Sequence, residues 1–331
     1  MKSYHLDHPG SINGVVMRES DVSTPGPGEA LVRIRANSLN ARDLGVVYGV
    51  RRIPVGAVPL TDGAGTVEAL GAGAHRFRTG ERVITAFHPD WIGGPRPPLL
   101  RQDLNSVAGM LSEYVVVHED ALVRAPEHLS FEEAATLPCA ALAAWNALIS
   151  YAPLAPGETV LVQGTGGVSI FALQFAKLFG ARVIATSSTA AKLDRLRSFG
   201  ADDVVDYVAE PDWELPVRKL TDNRGVDLVV EVACDMTRTL KCVRNGARIS
   251  VLSRLSATAP DISLVSIIGR HITIHGIGTG SRNDLEAMLR TISLHRLRPV
   301  IDRVFPFEGA ADAYRHLERR AHIGKVVISH G

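Results

Sequence analysis

The 331-residue chain has only three cysteines, Cys139, Cys234 and Cys242, and no Cys-x-x-Cys pair. That excludes a disulfide framework and a cysteine-paired zinc site, and it fits a reducing compartment. Charge of one sign is also lacking: 36 Lys plus Arg stand against 35 Asp plus Glu, a formal net charge of +1. Without a basic surplus there is no electrostatic footprint for gripping a phosphate backbone, so no nucleic-acid partner is expected. The first ten residues include Lys2, His5, Asp7, His8 and Pro9 and so lack the apolar stretch of a signal peptide. One uncharged stretch, 134–157, is dominated by alanine and interrupted by Pro138, Pro153 and Pro156. A bilayer span needs ~20 strongly apolar residues, so this stretch is expected to be a buried helix between loops, with no membrane partner. The expected location is cytoplasmic.

What is present is an ordinary globular composition, 46 % hydrophobic with 30 glycines. At about 150 residues per domain the length predicts two domains. The front of the chain alternates on a two-residue period between glycine- and proline-rich turns, giving expected strands at 30–36, 63–71, 82–87 and 113–118. A Pro- and Gly-rich loop follows Phe87 and runs to Gly109. From about Phe131 the rhythm changes to short apolar strands (159–163, 182–186, 203–206, 226–232, 246–252) separated by helical patterns. Such alternation predicts βαβ units on a parallel sheet, an α/β fold. A helix at 283–295, a strand at 300–304, a helix at 308–320 and a last strand at 325–329 close the chain.

The sharpest motif is Gly164-Thr165-Gly166-Gly167-Val168-Ser169, set between a strand and a helix. In a dinucleotide fold the first glycine makes the turn, the second admits the pyrophosphate and the third keeps helix and strand close. The helix N-terminus then offers free N–H groups to the anion. Ser169 replaces the third glycine and is small enough to fit. The next strand selects the nucleotide: an acid at its end would favour NAD, yet no Asp or Glu lies between Val183 and Ala191. Instead the strand runs into Ser187 and Ser188, with Lys192 one turn into the following helix, which suits a 2′-phosphate and therefore NADPH. The plainer alternative is that the two serines cap the helix and Lys192 is solvated.

Several ordered blocks together resemble the medium-chain dehydrogenase/reductase superfamily: 25–35, 37–43, 62–68, 134–139, the glycine turn and 324–327. The resemblance implies a GroES-like β-rich substrate domain, 1–130 with 285–331, around a Rossmann doubly wound cofactor domain, 131–284. It also implies an active site in the cleft between them and subunits paired as a homodimer through the strand at 271–277. Many members carry a catalytic zinc held by Cys, His and Cys. The matching positions here are Asn40, Thr61 and Cys139, with Asp62 beside Thr61; one thiolate cannot hold zinc, so no zinc is expected. This moves the resemblance to the quinone oxidoreductase-like branch.

Without a Lewis acid, hydride addition to a quinone or an α,β-unsaturated carbonyl is easier than reduction of a simple carbonyl, because charge spreads to a remote oxygen. The expected activity is NADPH-dependent reduction of a small electrophile of that kind. The candidates for the reacting centre are Asn40, Asp43 (with Arg42), Tyr48 as proton donor and Asp62. By family position Asn40 is expected at the ribose or substrate oxygen and Thr136 beside the nicotinamide ring, and by topology the Ile277-Gly278 turn and Lys325 are expected to close over the nicotinamide. Tyr207, Glu231, Val232, Leu252, Ser253, Ile277 and Gly278 are expected at strand ends along the cofactor. Phe87 and Trp91 are candidates for the substrate wall, and Cys139 for a small buried hydrophobe. Two other readings remain: an alcohol or aldehyde dehydrogenase-reductase on the same fold, and an NADPH-binding sensor without turnover.

Overall fold

The computed structural model describes residues 1–51, 53–98, 109–150, 153–233, 235–252 and 262–331. Cys234, Ser253 and part of the loop after Phe87 therefore lie outside the described residues. The chain divides into two compact units, Met1–Leu142 with Gly280–Gly331, and Ala143–Thr279.

The first unit opens with an antiparallel hairpin, β1 (Lys2–Leu6) and β2 (Val15–Glu19). Strands β3 (Glu29–Leu39), β4 (Asp62–Leu70), β5 (Arg82–Thr85), β6 (Tyr114–His118), β7 (Leu122–Arg124), β14 (Ile301–Pro306) and β15 (Lys325–Ser329) then share one sheet. Its order is β14-β15-β3-β4-β5-β7, with β6 also on β3. The alternation read from the sequence becomes inward Val32, Ile34, Val67 and Val83, which form a core with Leu39 and Tyr314. Gly65 has no room for a side chain: a Cβ there would sit 2.1 Å from the Arg33 carbonyl oxygen, at a point where the β3–β4 register shifts.

Two strand pairings set the surroundings of Asn40. The last strand β15 lies antiparallel to β3 with Val326 opposite Leu39, which sets Lys325 beside the residue after β3, Asn40. On the other side β4 lies antiparallel to β3 with Asp62 opposite Ser38. A short helix α1 (Ala41–Val47) starts immediately after Asn40, and the Asp43 carboxylate accepts the Asn40 backbone N–H at 2.7 Å.

The expected domain boundary at residue 131 falls inside this first unit instead. A helical turn over Phe131–Ala135 is closed by a capping box between Ser130 and Glu133. Glu132 accepts the Ser329 hydroxyl and Glu133 pairs with Arg298, so the segment is tied to the chain's C-terminal part.

The second unit holds β8 (Thr159–Gln163), β9 (Arg182–Ser187), β10 (Asp203–Asp206), β11 (Val226–Glu231), β12 (Val243–Val251) and β13 (Thr273–Gly276). All are parallel, in the order β10-β9-β8-β11-β12-β13. This is the doubly wound 3-2-1-4-5-6 order, whose direction reverses between β8 and β11. Helices α2 (Gly167–Leu178), α3 (Ala190–Ser198), α4 (Glu214–Lys219), α5 (Met236–Cys242) and α6 (Leu264–Arg270) follow the strands. The first unit ends with α7 (Arg282–Leu294) and α8 (Ala310–Glu318), the latter burying Ala313, Tyr314 and Leu317. Among the described residues no helix is long and apolar enough to cross a membrane.

Candidate active site

Strand register brings Asn40, Asp62 and Lys325 into one buried cluster. Lys325 is 3 % exposed, and its ammonium donates to the Leu39 carbonyl and to Asn40 Oδ1, both at 2.6 Å. Asn40 Nδ2 donates to Asp62 Oδ2 at 2.9 Å, and the Thr61 hydroxyl donates to Asp62 Oδ1 at 2.9 Å. The amide thus links a buried cation to a buried anion. Burial pushes the Lys325 pKa down against the pull of Asp62, and burial pushes the Asp62 carboxyl up against the pull of Lys325. Asp43 joins through the Asn40 backbone; burial lifts its pKa to about 6, with Arg42 opposing and Asp62 assisting the rise. Arg42 lies with its guanidinium 4.8 Å from the centre of the Phe87 ring.

The other candidates from the sequence sort by placement. Tyr48 is not brought to this cluster: it ends α1 at the surface and its hydroxyl donates to Glu318 on α8. Nor is it a core tyrosine: about two helical turns beyond Asn40 it follows the buried Val46 and Val47 but is itself exposed. Thr136 is fully buried, with its hydroxyl donating to the Glu133 carbonyl at 2.6 Å. Phe87 and Trp91 are both buried rather than exposed on a loop; the Trp91 indole N–H donates to the Gly94 carbonyl at 3.0 Å. Cys139 is partly exposed, not fully buried as expected, and desolvation together with the Asp62 charge holds its thiol well above the ordinary value.

In the second unit the glycine turn follows β8, at the strand where the sheet order reverses. Gly164 takes a φ of +74°, which favours glycine, and Gly166 caps α2 with φ −69° and no atom within 4 Å of an added Cβ. Ser169 fills the third glycine position without conflict, its hydroxyl donating back to the Gln163 carbonyl at 2.7 Å. Gly167 and Val168 form the first turn of α2, and Thr165 is buried beside them.

At the end of β9 the helix cap is Thr189, whose hydroxyl accepts the Lys192 backbone N–H. The expected alternative, capping of α3 by Ser187 and Ser188, is therefore not what the structure shows. Tyr207 comes next to them, its backbone N–H donating to the Ser187 carbonyl at 3.0 Å.

Glu231 is the last residue of β11, the strand end at which it was expected. Its carboxylate is fully buried and accepts from Gln163 Nε2 at 3.0 Å, from the Thr239 hydroxyl and from the Ala233 backbone N–H. Gln163 in turn accepts from the Val232 backbone N–H, so the pair locks the ends of β8 and β11 to each other. With these internal donors the carboxylate braces the two strand ends. Leu252 donates its backbone N–H to the Glu231 carbonyl, and Ile277 to that of Val251. Gly278 follows on the exposed side, and Ser253 is outside the described residues.

Comparison with known proteins bears on both units. Residues 26–127 match the alcohol dehydrogenase GroES-like domain, and 167–293 match the zinc-binding dehydrogenase domain. A zinc-type alcohol dehydrogenase-like protein of Schizosaccharomyces pombe is 39 % identical over 91 % of this chain and 91 % of its own length. The chain belongs to the medium-chain dehydrogenase/reductase superfamily. The 2-methylene-furan-3-one reductase of Solanum lycopersicum is 31 % identical over 99 % of this chain and 79 % of its own length. The crystal structure of a putative alcohol dehydrogenase from Sinorhizobium meliloti 1021 superposes with a TM-score of 0.94 at 38 % identity, covering 99 % of this chain and 98 % of that one. The fold is accordingly a GroES-like domain with a Rossmann domain, and the activity class is oxidoreductase.

The zinc implied by these relatives can be tested against the donors present. A catalytic zinc needs three protein ligands of imidazole, thiolate or carboxylate type. Here the buried ammonium of Lys325 is already bonded to Asn40, the Asp62 oxygens are engaged by Asn40 and Thr61, and Cys139 is the one thiol at the three matching positions. Among the described residues no group of three or more His, Cys, Asp and Glu is disposed to hold a metal. His271 and His275 stand four apart in sequence, but the first ends α6 and the second lies in β13, so they share no helix face. This donor set does not fit zinc.

Sequence reasoning found each member of the cluster but not their linkage. Lys325 was expected at the cofactor, and nothing local to it signals a bond to Asn40; only the β15–β3 register, a pairing across nearly the whole chain, does.

Proposed function

We propose that this chain transfers hydride from NADPH to a quinone or an α,β-unsaturated carbonyl without a zinc ion. The observation that carries the reading is the cluster of Asn40, Asp62 and Lys325, a buried cation and anion joined through Asn40, one of the positions that match the family's metal ligands. A conjugated acceptor suits such a site because the charge it develops reaches an oxygen that hydrogen-bond donors can stabilise. The tomato relative's name, a furanone reductase, supports the same substrate class.

NADPH, when bound, supplies the hydride. Gly164 and Gly166 leave the turn open for close approach of a pyrophosphate, and the α2 N-terminus offers its N–H groups. Ser187, Ser188 and Lys192 would hold the 2′-phosphate, since Thr189 takes the capping role. Lys325 carries three N–H donors, two of them engaged by Leu39 and Asn40, so it both fixes the Asn40 amide and keeps positive potential at the cluster. A water or hydroxyl delivers the proton that completes reduction.

The subunit is proposed to pair with a second copy through β13, which ends its sheet. The neighbouring helix α6 exposes Leu264, Val265 and Ile268 at 68, 82 and 73 %, an apolar surface that a partner would cover. A cytoplasmic location fits the free thiols Cys139 and Cys242.

The test is a screen of NADPH oxidation with 9,10-phenanthrenequinone, an enal and simple saturated aldehydes. Turnover with the first two and not with the last is the expected result. Turnover confined to saturated aldehydes would mark an alcohol/aldehyde reductase, and nucleotide binding without any turnover a sensor.

A further inference from the structure

The amino-terminal edge of the parallel sheet, opposite the glycine turn, carries a cavity of about 450 Å³ lined by Arg218, Arg224, Arg244 and Arg270 with Val243 and Asn245. Parallel topology places it there: Val243 opens β12 and Arg224 just precedes β11, whereas the glycine turn follows the last residue of β8. A six-residue strand such as β11 separates the two edges by ~20 Å.

Two of the four arginines are neutralised. Arg224 forms a two-point pair with Asp227, at 2.9 and 2.6 Å, and Arg244 donates to the same carboxylate at 2.5 Å and lies 3.8 Å from Glu158. These guanidinium groups hold the nearly buried Asp227 carboxyl well below the ordinary range. The other two are different. Arg218 donates to the backbone carbonyls of Lys241 and Asn223, and Arg270 to those of Leu240 and Val243. Among the described residues neither meets a carboxylate. Burial and the Arg218 charge together lower the Arg270 pKa. The carbonyl anchors fix both guanidinium plates, so their remaining N–H groups are already oriented and lose little freedom on binding a ligand.

Two like charges held together by neutral anchors are an unfavourable arrangement that an oxyanion between them would relieve. We propose that this cavity binds the phosphate or diphosphate group of a small molecule, with Arg218 and Arg270 as the principal ligands and Asn245 at the rim. A long polyanion is disfavoured because the flanking arginines are paired with acids and the chain as a whole carries only +1.

Calorimetric titration with inorganic phosphate, inorganic pyrophosphate and ribose 5-phosphate, at matched ionic strength, tests this. Arg218→Gln with Arg270→Gln should weaken the tightest of these roughly tenfold or more. Asn245→Asp breaks none of the arginine–carbonyl bonds and should weaken it in the same direction, which keeps the test valid if the double variant folds poorly. Preference for pyrophosphate or phosphate over ribose 5-phosphate identifies a free anion, and the reverse a phosphate ester. Arg319→Gln, an exposed arginine of the first unit, should leave the affinity unchanged. The proposal is overturned if none of the three probes binds at millimolar concentration, if affinity survives in both the double variant and Asn245→Asp, or if Arg319→Gln alone abolishes it.

Discussion

Lys325 and Asp62 are each nearly inaccessible to water, and each is tolerable only because the other is present. Removing one partner of such a pair leaves an uncompensated buried charge, which typically costs about 3–5 kcal/mol, whereas replacing both by apolar groups is often neutral. Lys325→Met should therefore destabilise the protein by roughly that amount, and addition of Asp62→Leu should recover most of the loss. Chemical denaturation of the two single variants and the double variant measures this; additive losses would show that the two charges are not coupled. Asp43 yields a pH prediction. Its folded pKa, about 6, lies above its ordinary value of 3.8 because of burial. The folded state therefore holds the proton more tightly than the unfolded chain, and stability falls as pH rises from about 4 to about 6, then levels off above it. Asp43→Asn, which stays neutral, should gain on the wild type by about 2–3 kcal/mol between pH 4 and pH 7. Melting temperatures across that range, wild type against variant, should diverge; a constant gap would place the Asp43 pKa near its ordinary value.

At the scale of single elements, the glycine turn separates folding from binding. Gly166 has an ordinary φ and empty space where a Cβ would go, so Gly166→Ala should leave the melting temperature unchanged. The same methyl would stand where a pyrophosphate must approach, and nucleotide affinity should fall roughly tenfold or more. Unaltered affinity in fluorescence titration would mean that the turn is not the phosphate site. Likewise Lys192→Ala should weaken NADPH roughly tenfold or more while changing NADH little, as expected of a lost charge-assisted phosphate contact. Equal losses for both nucleotides would remove the 2′-phosphate assignment. The strands and helices around this turn were legible in the sequence, because each βα unit carries its own period and its own glycine or serine punctuation. The seven-residue α1 was not: Gly45 and a short length hide it, and it forms because Asp43 caps Asn40. The hairpin of β1 and β2 was also missed, its loop being closed by a 3-10 turn that Ser11 caps. Glu231 was legible as the end of a strand, but whether its carboxylate turns inward depends on Gln163 and Thr239, which lie far off in sequence.

For the whole molecule, length indicated two domains and composition no strong charge, while the parallel sheet order confirms the doubly wound half. The cluster of Asn40, Asp62 and Lys325 could not be read locally, since it joins residues from β4, the end of β3 and the final strand. Self-association belongs to this scale too. If β13 pairs across a two-fold axis, Ile268→Glu on α6 should shift the dimer to monomer in sedimentation, and an unchanged sedimentation coefficient would exclude that face. The activity itself is tested most directly by NADPH oxidation with cyclohex-2-enone, using protein stripped by a strong chelator and then titrated with zinc. A metal-independent centre predicts the same rate before chelation, after it and after zinc is added. An enzyme silent until zinc is restored would contradict the account.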